Sequence, residues 1–160
     1  MTRYAENTSV SVERSRAEIE GTLQRYGASR FMSGWDEERA YIAFLYHDRA
    51  IRLTITLPDR GQFDRTPHRN RRRSSEEAAR AWEQACRQQW RAMALVVKAK
   101  LEAVQAGIAT FEDEFLAYTV LPEGRTVAQW LQPQMQTLIE TGRMPQMLLP
   151  PADVAAGERR

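Results

Sequence analysis

After a mainly polar stretch over 1–10, apolar side chains return at helical spacing: Ile19, Leu23 and Tyr26 fall on one face of a helix. Ser11 precedes that stretch as an N-cap, and Glu13 puts an anion in the first turn, where the backbone dipole favours it. Gly27 supplies the stop, so the pattern predicts a helix over 12–26. The period then changes. Phe31 to Trp35, Ala40 to His47 and Ala50 to Leu57 are rich in aromatic and β-branched residues. In the last segment Ile51, Leu53, Ile55 and Leu57 alternate with Arg52, Thr54 and Thr56, the period of a strand with one apolar and one polar face. Reversals fall at Asp36-Glu37-Glu38 and at His47-Asp48-Arg49, which makes the three segments an antiparallel meander. Ile51, Leu53 and Ile55 are expected inside it, Arg52 and Thr54 outside.

From Pro58 to Arg73 no period survives, and Pro58, Gly61 and Pro67 break structure, so this stretch reads as a mobile surface loop. Ser74-x-x-Glu77 then has the form of a capping box, with Glu76 and Glu77 in the first turn. Trp82, Cys86, Trp90, Met93, Val97, Leu101, Val104 and Ile108 follow at steps of four or three with no breaker before Gly107. About 30 residues at a rise of ~1.5 Å give a helix of roughly 45 Å. Such a helix outreaches three short strands. Its stripe calls for further cover, from a C-terminal helix around Trp130 to Ile139 and beyond that from a second copy of the chain. Phe111, Phe115 and Tyr118 predict a short helix, Pro122-Glu123-Gly124 a turn, and Thr126-x-x-Gln129 a second capping box. The helix it opens contains Pro133, which is expected to kink or split it. Gly142, Pro145, Pro150 and Pro151 end regular structure.

The fold class is therefore α+β: an N-terminal helix, a three-stranded antiparallel sheet, a long helix and a C-terminal helical extension. A chain of 160 residues fits one domain with a real core. That domain is expected over 1–150, with an arginine-rich loop at 58–74 and a disordered tail over 151–160. Apolar residues make up 42% and charged residues 28%, ordinary for a soluble protein. No apolar run approaches the ~20 residues that span a bilayer, and the first thirty residues lack the apolar stretch of a secretory signal. The single cysteine, Cys86, has no partner for an internal disulfide, which fits the cytoplasm.

Charge sharpens the picture. The net charge is +2, yet five arginines stand between Arg65 and Arg73 with no acid among them, so the rest of the chain is net negative. A local concentration of this kind points to a local anionic partner. Arginine carries a permanent charge on a planar fork that matches phosphate oxygens. Arg65, Arg69, Arg71, Arg72 and Arg73 are the candidate contacts to a nucleic-acid backbone, DNA or RNA. Arg80, Arg87 and Arg91, joined by Lys98, share one face of the long helix and would extend that surface. Trp82 and Trp90 lie nearby and would suit stacked, unpaired bases, although both also match the apolar stripe of a core. The competing reading of the loop is a solvated linker.

Other chemistry is thinly represented. Glu112, Asp113 and Glu114 are acids that can bind magnesium, but adjacent helical residues point apart, and a solvated face explains them. His47 and His68 have no Cys/His partners at metal spacing. Cys86 lies on the apolar helix face, Gly61 and Gly124 are isolated, and no serine has the setting of a nucleophile elbow. No catalytic residue, metal or cofactor is expected.

The stretches "WRAMALVVKAKLEAVQAGIATFEDEFLAYTVLPEGRTVAQWL" and "YAENTSVSVERSRAEIEGTLQRYGASRFMSGWD" resemble a family of small uncharacterised proteins of phages and prophages. The resemblance implies a mobile-element setting in a bacterial host cell, where small proteins often handle DNA or interfere with host systems. The order helix, three strands, helix is also similar in topology to the double-stranded RNA-binding domain, whose basic residues near the second helix meet phosphates across the major groove. Here "RNRRR" precedes that helix, but the helix is about twice as long and opens on Glu76 and Glu77. The expected function is a non-catalytic nucleic-acid-binding accessory protein. The alternative is a protein-interaction module, an inhibitor or accessory factor acting on a host or phage enzyme. A structural oligomer built through the long helix is the third class.

Overall fold

Ser11 caps the first helix as its position suggested: its hydroxyl accepts from the Arg14 amide at 3.2 Å. The structure is a computed structural model and describes residue 5 and residues 8–36 and 38–143. Glu37 and the expected tail at 151–160, with Pro145, Pro150 and Pro151, lie outside the described residues. Helix α1 runs Val12–Arg25 and buries Ile19 and Leu23. It ends where Gly27 takes a positive φ of 87°, a conformation that costs glycine little.

The meander follows. Strands β1 (Ser29–Trp35), β2 (Arg39–Tyr46) and β3 (Arg49–Thr56) form one antiparallel sheet in the order β1-β2-β3. Ile42 faces Leu53, Phe44 faces Ile51 and Ala40 faces Ile55, so the buried residues of two strands meet on one face. Thr54 is exposed and Arg52 half-buried on the other, as the alternation requires. The β2–β3 reversal places both His47 and Asp48 at positive φ, the handedness that a two-residue hairpin turn needs to match strand twist.

Helix α2 covers 31 residues, Ser75–Gln105, behind the predicted capping box: Ser74 accepts from Glu77 N at 3.1 Å and Glu77 accepts from Ser74 N at 2.9 Å. It presents Cys86, Trp90, Ala94, Val97 and Leu101 to the inner sheet face and to α1. Ile108, the expected last member of the stripe, lies beyond the helix end and is 80% exposed. Helix α3 (Phe111–Phe115), capped by Thr110, closes the far end of the core. Phe111 stacks between Tyr46 at 4.0 Å and Phe115 at 4.5 Å, and Phe115 meets Phe44 edge-on.

The C-terminal helix is placed differently from expectation. Helix α4 (Val127–Thr141) packs on the 3-10 turn Leu116–Tyr118 rather than along α2, and no residue of it is fully buried. The cause is upstream. Thr119 bridges to Ile51, the Val120 amide donates to Ala50 O at 2.8 Å, and Arg52 donates to Gly124 O at 2.8 Å. These bonds tie the start of α4 to β3, and α1 supplies the cover that α2 needs. Trp90 and Leu101 are accordingly buried within a single chain. Helix α4 also passes Pro133 without being split. Among the described residues, no helix is long and apolar enough to cross a membrane.

Candidate functional site: an arginine hairpin and a tryptophan cleft

The arginine stretch, expected as a loop for its lack of period, is organised as a hydrogen-bonded hairpin. A 3-10 turn, Arg60–Phe63, opens it, and Asp59 caps that turn by accepting from Gly61 N at 3.2 Å. Arg65 and Arg72 then pair antiparallel. Thr66 N donates to Arg71 O at 2.9 Å, Asn70 N to Thr66 O at 3.0 Å, and Arg73 N to Asp64 O at 2.8 Å. The Arg73 guanidinium fastens both ends, its Nη1 donating to Phe63 O at 3.0 Å and Arg65 O at 2.9 Å. Periodicity cannot register such a segment, because its bonds run from side chains and turn amides to carbonyls and not along a ladder.

The eight candidate arginines divide into two groups. Arg73 is a structural staple. Arg71 pairs with Glu77 at 3.0 Å and Arg80 pairs with Glu76, both exposed. Arg87 donates through Nε and Nη2 to Gln84 Oε1 at 2.9 and 2.6 Å. Arg91 pairs with Glu18 of α1 and is only 25% exposed at its side chain, so it joins two helices. Arg65 is exposed and bonds only the Asn70 carbonyl, at 3.0 Å. Arg69 and Arg72 are exposed, and among the described residues their side chains make no hydrogen bond or ion pair. The hairpin therefore brings to solvent three guanidiniums without an acidic partner among the described residues, Arg65, Arg69 and Arg72. The face expected along α2 is satisfied largely by the chain's own acids and amides.

The tryptophans build a second feature. Trp90 is buried and belongs to the core. Trp82 is half-buried. Its Nε1 donates to Pro58 O at 2.8 Å, and the Arg60 guanidinium lies 3.7 Å from its ring centre. Trp35, at the end of β1, is 69% exposed. Arg16, anchored by its Nε to Ser33 Oγ at 3.1 Å, sits 5.5 Å from the Trp35 ring and 5.8 Å from that of Trp90. Trp35 and Trp82 line an open cleft of about 1000 Å3 together with Asp36, Glu38, Asp59 and Arg60. A smaller cavity of about 370 Å3 adjoins it, sharing Trp35, Leu57 and Trp82 and reaching Cys86 and Trp90. Neither Trp35 nor Arg16 stood out in the sequence. The only signal was a tryptophan closing a strand immediately before an acidic turn.

One acid of the cleft, Asp36, is held ionised by its own turn. Asp36 accepts from the Glu38 and Arg39 amides at 2.9 and 2.7 Å, which hold its carboxyl below the usual carboxylate range. Elsewhere, the three acids at 112–114 part company. Glu112 pairs with Arg49, Asp113 caps Thr110, and Glu114 pairs with Lys100 at 2.8 Å. Burial pushes the Cys86 thiol up, away from the thiolate form a nucleophile needs. Set against family models, curated proteins and solved structures, the chain matches none of them.

Proposed function

We propose that the chain binds nucleic acid through the phosphate backbone, without chemistry, as an accessory protein of a phage or mobile element. The observation that carries this is the hairpin: three exposed guanidiniums held on a folded turn and free of acidic partners. A fixed hairpin loses less conformational entropy on binding than a mobile loop, so each phosphate contact is worth more. The contact is nonspecific, because phosphates position a protein and carry no base sequence.

The test is a titration against single- and double-stranded DNA and RNA at several salt concentrations. Three neutralised phosphates give a log–log slope of roughly −2 on single strands and −2.7 on duplex. Five candidates would have given roughly −3.5 and −4.5, so the slope counts the free arginines. Arg69→Ala with Arg72→Ala should flatten it by about 1.4 to 1.8 units, whereas Arg80→Ala should leave it nearly unchanged. A parent that fails to bind, or a double variant that keeps the full slope, overturns the reading. The alternative, a protein-interaction module, is favoured by one separate observation: the large apolar ring of Trp35 presented to solvent beside an acidic cleft.

A further inference from the structure

We infer that the cleft between Trp35 and Trp82 docks an arginine side chain of a protein partner. Its charge sets the occupant. Asp36, Glu38 and Asp59 line it with one cation, Arg60, and a second, Arg16, stands beside Trp35 at its edge, so the carboxylates outnumber the guanidiniums and the cleft favours a cation over a phosphate. The three carboxylates are not equally engaged. Asp36 caps its own turn and Asp59 caps the 3-10 turn, whereas the Glu38 side chain makes no bond among the described residues. Among the described residues, Glu38 is thus the unengaged carboxylate of an aromatic cleft.

The indoles repeat the same preference. Arg60 lies over Trp82 and Arg16 lies between Trp35 and Trp90, so the tryptophan rings around this cleft already carry guanidiniums of the chain itself. With 69% of its surface in solvent, Trp35 has area left for one more. A partner's arginine stacked there would reach Glu38 with its fork, combining ring and carboxylate in one contact. The open cleft of about 1000 Å3 leaves room for the peptide on either side. This proposal is independent of nucleic-acid binding. It uses negative charge where the hairpin uses positive, and none of Arg65, Arg69 and Arg72 takes part.

The test titrates the full chain with acetyl-Gly-Arg-Gly-amide and with its citrulline counterpart, a neutral near-isostere, following the indole N–H resonances. The arginine peptide should shift Trp35 and Trp82 saturably, with a dissociation constant on the order of 1 mM for so small a probe. The citrulline peptide should bind at least about tenfold more weakly. Trp35→Ala should abolish the response and Glu38→Gln should weaken it. Arg60→Ala, which removes a like charge and bares Trp82, should tighten binding about threefold. Equal binding of the two peptides, or weaker binding in Arg60→Ala, overturns the proposal. So does an oligothymidine that shifts the same indoles, which would give the cleft to nucleic acid. Indole shifts that grow with protein concentration alone would give it to the hairpin of a second copy. Because Arg69→Ala with Arg72→Ala should leave peptide binding intact, failure here is distinguishable from failure of the nucleic-acid reading.

Discussion

From Cys86 to Leu101, α2 turns one buried side chain per turn toward the sheet and α1, and that buried face is apolar, with the Arg91–Glu18 and Lys100–Glu114 pairs at its edges. From Ser74 to Trp82 the same helix has no fully buried residue. It is joined instead to the hairpin and the 3-10 turn by a capping box, an Arg71–Glu77 pair, a tryptophan N–H on Pro58 O and a guanidinium on a ring. The first region is held by area removed from water, which no single polar change can undo. The second is held by directional bonds at the surface, each worth little and each available to be exchanged for a ligand. One continuous helix thus joins a part held by buried area to a part held by exchangeable surface bonds.

The largest expected effect breaks the first region. Trp90→Ala removes a buried indole between α1 and the sheet and should cost about 3–5 kcal/mol in denaturant unfolding. Arg73→Ala strikes the second region and should cost only about 1–2 kcal/mol, since a charged donor to two carbonyls is lost from a half-buried site. Its effect should be local: amide exchange at Thr66, Asn70 and Arg73 should speed up while Val97 and Leu101 stay protected. If Arg73→Ala destabilised the protein as much as Trp90→Ala, the hairpin would be part of the core, and the contrast between the two regions would fall.

The same contrast explains what could be read from the sequence. The period-two run from Ile51 to Leu57, the stripe through Trp90 and Leu101, and the Ser74 and Thr126 capping boxes are repeated or local patterns, and each formed where it was expected. The docking of α4 was hidden because it depends on Thr119 and Arg52 reaching across from other elements, and no spacing encodes that. The arginine count was legible, but the number of free arginines was not. Arg91 looks like a surface cation until Glu18, distant in sequence, is seen opposite it. Trp35 was legible as a strand residue only. Its exposure follows from where β1 ends relative to α1 and α2.

The smallest effect concerns how α2 and the hairpin share Glu77, and it is read by pH. The Ser74 amide, first, and then the Arg71 guanidinium hold the Glu77 carboxyl below the usual carboxylate range. A carboxylate whose folded pKa is depressed contributes stability that is complete above its unfolded pKa and is lost as pH falls through the folded value. Melting temperature should therefore drop as pH falls below the ordinary carboxylate range, and the drop should be shallower in Glu77→Gln, which has no such proton to take up. Arg71→Ala should keep most of the parent's drop, because the amide is the larger cause and survives the substitution. Parallel curves for the parent and Glu77→Gln would mean that the cap does not couple to folding. A curve for Arg71→Ala as shallow as that of Glu77→Gln would mean that the ion pair, and not the amide, holds the proton off. The distinction bears on binding. Arg71 and Glu77 are 60% and 46% exposed at their side chains, so their pair is screened and weak. If the amide is enough to keep Glu77 in the cap, Arg71 can swing from it to a phosphate without loosening α2. The hairpin would then bring a fourth arginine to the backbone, and the salt slope on duplex would move from roughly −2.7 toward −3.6.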